Sequence, residues 1–296
     1  MRLARLPAQL QHVCIVTFLM AFPVSPLSRP RLAKACYAHR SMFTFCCDDS
    51  GTHSQSEIAV AACFVAECIQ WEHFVKDWNR ANDAENFGVF HMTDFVAKKK
   101  QFASPEWQDD EKRDRTIKRL INIITTRRRM GFFTAVEKAG YDAEVPRDLR
   151  DRFKLGNTHY TFAVRMCLAK VLKWRMKYGY KEPVQFVFDQ ISKGTGDIGA
   201  VFEMALKEGD EQALVHGISR ETGWSFQSKA VILPLQAADI LAWEALRHMQ
   251  KVYLPESKQS PRKSYLALVE RAMDKGYHDR ETLRNWVAHL RSRSAV

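Results

Sequence analysis

Three acids in this chain stand where packing alone does not explain them. Asp48 ends the apolar run Phe43–Asp49 (FTFCCDD), Asp189 ends Val184–Asp189 (VQFVFD), and Asp239 lies inside the apolar helical run 235–252 (LQAADILAWEALRHMQKV). A carboxylate in such a setting is costly to desolvate unless it is paired, hydrogen-bonded or bound to a metal. Acids at the carboxyl ends of strands, with one on a helix, can converge at a sheet edge. Converged carboxylates repel one another until divalent cations neutralise them, and an all-oxygen set selects Mg²⁺ or Mn²⁺ over Zn²⁺. Two such ions about 4 Å apart activate water and stabilise the leaving oxygen in phosphodiester cleavage, with no covalent intermediate. Each acid taken singly has an ordinary reading: Asp48 or Asp49 as a turn former before Ser50-Gly51, Asp189 as a loop or cap acid, Asp239 on a solvated face. The set is what points to chemistry.

Other residues are placed to assist. His91 can position or protonate a leaving group, since histidine titrates near neutral pH; its ordinary role is that of a loop histidine. Asp94 follows it closely. Gln236 and Gln190 can hydrogen-bond carboxylates or substrate, and Lys193, in Ser192–Gly196 (SKGTG), can meet a phosphate, although this segment lacks the order of a P-loop. Arg127–Arg129, Lys98–Lys100 and Lys112–Arg119 offer a phosphate-binding face or simply solvated helix surfaces. Trp71 and Trp78 fit a core stripe better than base stacking. Ser50 has no His/Asp relay near it, which argues against a serine hydrolase.

The elements that must hold these residues are legible in the periodicities. Residues 43–49 and 58–65 read as a strand hairpin, 69–81 as a helix, 87–90 as a short strand, 105–126 as a helix and 130–136 as a strand. A helix over 160–178, the strand 184–189, a helix over 198–206, a strand over 213–218 and a connecting strand over 230–233 follow. Pro234 opens the helix 235–252, and one or two helices cover 262–291. A hairpin followed by alternating strands and helices implies an α/β fold with a mixed sheet layered by helices.

Composition bounds the rest. With 296 residues, 46% hydrophobic and 11% aromatic, the chain buries a full core and is not a disordered protein. No run approaches the roughly 18 apolar residues of a membrane span, so no membrane partner is expected. The seven cysteines form no CxxC pair and suit neither a zinc finger nor a disulfide framework, and a reducing, cytoplasmic setting is expected. The net charge of +11 invites a nucleic-acid partner, yet more than half of it arises in residues 1–41, which hold no acid. That leader contains an apolar run, His12–Phe22, superficially like a signal-peptide core. It is read as sequence upstream of a start at Met42 or a disordered extension, beside a functional extension or a transit peptide as alternatives. Residues 42–296 are expected to form a single domain.

Four stretches together resemble domain-of-unknown-function family 3800, a bacterial and phage family. They are Phe43–Gly51 (FTFCCDDSG), Phe90–Phe95 (FHMTDF), Phe186–Gln190 (FVFDQ) and Leu235–Glu244 (LQAADILAWE), in the family's order over about residues 42–250. The resemblance implies a ribonuclease-H-like fold, so that with the periodicities the expectation is a mixed sheet that starts with a hairpin, carries helices on both faces and is extended by C-terminal helices. It also implies Asp48, Asp189 and Asp239 in metal-carboxylate positions, Asp49 where a second acid is usual, and His91 or Asp94 near the site. The leader has no counterpart in the family pattern. The function expected is a Mg²⁺- or Mn²⁺-dependent nuclease. A non-catalytic nucleic-acid- or partner-binding protein of the same fold, of phage or defence association, is the main alternative. A hydrolase of a small phosphorylated substrate is another.

Overall fold

Strand β1 (Phe43–Ser50) alternates: Phe43, Phe45 and Cys47 face one side of the sheet, Cys46 and Asp48 the other. Strand β2 (Ile58–Glu67) is apolar on both sides, as a strand covered on both faces must be: Ala59, Ala61, Cys63 and Val65 enter one core, and Ile58, Val60, Ala62, Phe64 and Ala66 the other. The turn between them needs Gly51, whose φ is +71° and where a Cβ would lie 2.3 Å from the Ile58 carbonyl oxygen. The computed structural model describes residues 43–190, 194–207, 209, 213–214, 217–220, 222–253 and 260–294. The leader and Lys193 lie outside the described residues.

The protein is α/β, with a six-stranded mixed sheet in the order β5-β4-β1-β2-β3-β6. Strand β3 is Met130–Glu137, β4 Val184–Asp189, β5 Trp224–Gln227 and β6 Met273–His278. The β1–β2 and β2–β3 pairs are antiparallel; β4 runs parallel to β1, β5 to β4 and β6 to β3. The α-helices that accompany it with described bounds are α1 (Cys68–Glu85), α2 (Met92–Val96), α3 (Asp110–Arg127), α4 (Lys138–Glu144), α5 (Arg147–Arg152), α6 (His159–Tyr178), α7 (Thr195–Lys207), α8 (Pro234–Tyr253), α9 (Lys263–Val269) and α10 (Arg280–Ser294). One core gathers Phe162 and Cys167 of α6, Phe202 of α7 and Leu283 of α10 against the sheet. The other gathers Trp71 and Trp78 of α1, Leu120 of α3, Ile240 of α8 and Leu268 of α9. Trp71 and Trp78 are core residues.

Helix α8 crosses β1 and β2, and it is buried on every side from Pro234 to Leu246. Asp239 is therefore inside the molecule and not on the border of an apolar stripe. Three other expectations are corrected. Residues 87–90 form no strand: Phe87 and Phe90 are buried among aromatic rings, and the Phe90 N–H donates to the Gln236 side chain 2.8 Å away, not to a neighbouring strand. Residues 230–233 form turns, and the strand of this region is β5, just before them. Residues 213–214 are helical, the rest of the expected 213–218 strand including residues outside the described set. In the C-terminal stretch, β6 separates two helices and adds to the edge of the same sheet. Its sequence (MDKGYH) has no apolar alternation because one half-buried edge needs none.

Candidate functional site

The parallel pairing of β1 with β4 sets Cys47 opposite Phe188, so the next residue of each strand, Asp48 and Asp189, emerge side by side at the carboxyl end. Helix α8 brings Asp239 to the same point. Asp48 is 2% exposed and Asp239 5%. The residue that unites the three was missed by the sequence reading. Lys229, two residues after β5, places its Nζ 2.6 Å from Asp48 Oδ2, 3.0 Å from Asp189 Oδ2 and 3.1 Å from Asp239 Oδ1. The signal was present in outline: three buried carboxylates demand positive charge, and Lys229 stands between an edge strand and the helix bearing one of them.

The second oxygen of each carboxylate is held by backbone. Asp48 Oδ1 accepts the Asp49 N–H at 2.8 Å, Asp189 Oδ1 the Lys229 N–H at 3.2 Å, and Asp239 Oδ2 the Met92 N–H at 2.6 Å. Such bonds orient each carboxylate before any ligand arrives. Burial alone would push the Lys229 ammonium down, but Asp48, Asp239 and Asp189 outweigh it and hold the group well above its ordinary value. Burial pushes Asp48 well up, and repulsion from Asp239 and Asp189 adds to this against the attraction of Lys229. With all three carboxylates ionised, one ammonium leaves a formal charge of −2.

His91 and Asp94 border the cluster. His91 Nε2 is 3.4 Å from Asp239 Oδ1 and its Nδ1 is 3.2 Å from Asp94 Oδ2, which also accepts from Lys100 Nζ at 2.8 Å. A neutral ring donates to only one of these two carboxylates at a time. Burial works against it, but the bonds from Lys100 and His91 bring Asp94 below the ordinary carboxylate range. Asp49 does not reach Lys229: its Oδ2 accepts from Thr52 Oγ1 at 2.6 Å and so braces the hairpin turn. Burial raises its carboxyl.

Gln236 departs from its expected role toward substrate. It is fully buried; its Oε1 accepts from Trp78 Nε1 at 3.1 Å and from the Phe90 N–H, and its Nε2 donates to the Lys229 carbonyl at 2.8 Å. It ties the Lys229 turn to the segment before His91. The expected basic face also dissolves into local pairs. Arg127 binds Asp77, Arg128 donates to the carbonyls of Leu268 and Arg271, Arg129 donates to Tyr180 Oη, and Arg115 pairs with Glu85. Of these runs, Lys100 reaches the rim of the site, with its side chain 71% exposed. A groove of about 860 Å³ between α3 and α9, lined by Ile117, Ile121, Arg128 and Arg262 among others, holds none of the carboxylates.

The donor set, three carboxylates and no nitrogen or sulfur ligand, suits a hard divalent ion. Lys229 Nζ stands at their common point, and among the described residues no group of three or more His, Cys, Asp or Glu side chains is arranged to hold a metal ion. No family model, curated protein or solved structure matches this chain. No helix among the described residues is long and apolar enough to cross a membrane.

Proposed function

We propose that this protein is a Mg²⁺- or Mn²⁺-dependent phosphodiesterase acting on nucleic acid, built on a ribonuclease-H-like fold and related to domain-of-unknown-function family 3800. The observation that carries the reading is the convergence of Asp48, Asp189 and Asp239, from three different elements, on one position that already binds positive charge. The strand order β5-β4-β1-β2-β3, with β2 antiparallel to its neighbours, supports the fold assignment. Asp48, Asp189 and Asp239 would hold the metal. When bound, such an ion screens phosphate charge and acts as a Lewis acid for attack by water.

The chain's own residues do the remaining work. Backbone N–H groups fix the three carboxylates, so little reorganisation is needed when phosphate arrives. His91, between Asp239 and Asp94, orients Asp239 and is placed to pass a proton at the rim. Lys100, exposed beside Asp94, supplies positive charge toward a polyanion. Lys229 also favours a second reading, a non-catalytic nucleic-acid-binding protein in which the ammonium permanently answers the carboxylates.

The test uses labelled DNA, RNA and hybrid substrates with Mg²⁺, Mn²⁺ or EDTA, beside Asp48→Asn and Asp189→Asn. Metal-dependent cleavage that falls at least ~10³-fold in both variants is expected, with melting temperatures unchanged or raised as repulsion is relieved. Full activity in Asp189→Asn rejects the site, and metal-independent, salt-sensitive binding without cleavage selects the second reading.

A further inference from the structure

We propose that Lys229 is a tethered cation that shuts the carboxylate site to divalent ions, so that metal and ammonium occupy it in alternation. This rests on the reading of the site as a metal centre and goes beyond it, because it makes metal entry conditional on one side chain. Each of the three carboxylates has one oxygen engaged by a backbone N–H. The other oxygen of each, Asp48 Oδ2, Asp189 Oδ2 and Asp239 Oδ1, is the one turned to Lys229 Nζ. A divalent ion held by Asp48, Asp189 and Asp239 would compete for those same oxygens, the ones not engaged by backbone N–H groups. Two positive charges cannot share them at contact distance, so the two cations exclude each other.

The exchange requires little movement of the chain. The Lys229 backbone is fixed on both sides of its Cα, the N–H by Asp189 Oδ1 at 3.2 Å and the carbonyl by Gln236 Nε2 at 2.8 Å. Gln236 is itself fully buried and anchored to Trp78 and Phe90. Only the four-carbon stem has to rotate outward, and its side chain, 16% exposed, already touches solvent. A withdrawn ammonium stands at the mouth of the site, where a phosphate would be its natural partner. In the closed state the same ammonium reduces repulsion among carboxylates that would otherwise face one another unscreened.

The test measures Mn²⁺ binding directly, through the electron paramagnetic resonance of the unbound ion, on the native chain, Lys229→Met and Asp189→Asn. Lys229→Met keeps the stem length without the charge and is expected to bind Mn²⁺ roughly tenfold or more tightly than the native chain, while Asp189→Asn loses binding. Equal or weaker binding by folded Lys229→Met, beside measurable binding by the native chain, overturns the exclusion and leaves the metal-centre reading standing. No binding by either protein at millimolar Mn²⁺ overturns both. A second readout needs no variant: acetylation of Lys229 in the native chain, followed by mass spectrometry, is expected to be severalfold faster with Mn²⁺ than with EDTA. An unchanged or slower rate overturns the exchange.

Discussion

Helix α8 carries two buried carboxylates, Asp239 and Glu244, and they are treated in opposite ways. Glu244 is fully buried, yet it accepts from Arg262 Nε at 3.1 Å and from Ser264 Oγ at 2.6 Å, so one cation and one hydroxyl serve one acid. The Arg262 guanidinium also lies 5.1 Å from the Trp243 ring centre, which fixes it from a second side. Asp239 shares one ammonium with Asp48 and Asp189. The first arrangement is closed and joins α9 to α8. The second leaves negative charge uncompensated, a cost that a purely structural ion pair has no reason to carry. Buried charge marks a candidate site when its partners are too few, not merely when it is buried.

That contrast is open to attack by mutation. Arg262→Met strands Glu244 with Ser264 alone, and a loss of about 2 kcal/mol in denaturant unfolding is expected, with Mn²⁺ affinity untouched. Asp239→Asn keeps an acceptor for the Met92 N–H and relieves repulsion, so its stability should hold while Mn²⁺ binding disappears. If Asp239→Asn proves the more destabilising of the two, the distinction between closed and open charge fails.

The pH dependence of melting in EDTA sharpens the comparison. Burial raises Asp48 well above its ordinary value, with like charges adding to it, and burial raises Glu244 against the opposing bonds of Ser264 and Arg262. A carboxyl raised in the folded state binds its proton more tightly there than in the unfolded chain. Its contribution is thus fully present below the ordinary carboxylate range and is lost as pH rises through the raised folded value. Asp48→Asn should flatten this decline above the ordinary carboxylate range more than Glu244→Gln does; equal flattening would place both acids in equivalent surroundings. The smallest effect expected is at the rim. His91→Asn should weaken Mn²⁺ binding about tenfold, as loss of an orienting contact to a ligand does, with the melting temperature almost unchanged. An unaltered Mn²⁺ affinity would make His91 a bystander.

Much of the frame was legible in the chain. The alternation in 43–49, the doubly apolar run 58–65 and the helical spacing of Trp71, Phe74 and Trp78 each report burial through local period, and each became the expected element. Phe87–Phe90 and β6 misled because their backbones are satisfied or paired in ways that side-chain pattern does not record: the Asn82 and Gln236 side chains in one case, a polar sheet edge in the other.

For the site, residue type and strand-end position were enough to single out Asp48, Asp189 and Asp239 as acids in need of a partner. The identity of that partner belongs to tertiary structure. Lys229 joins carboxylates 181, 40 and 10 residues away in the chain, and no local rule links such separations. Only the parallel docking of β4 beside β1, with α8 laid across β1 and β2, brings three carboxylates within 3.1 Å of one nitrogen. The same docking turned Gln236 inward, away from any substrate, and dispersed the basic runs among nearby acids and carbonyls. Charge in a sequence is a sum, whereas the field at a site depends on distance and burial, and those exist only once the chain has folded.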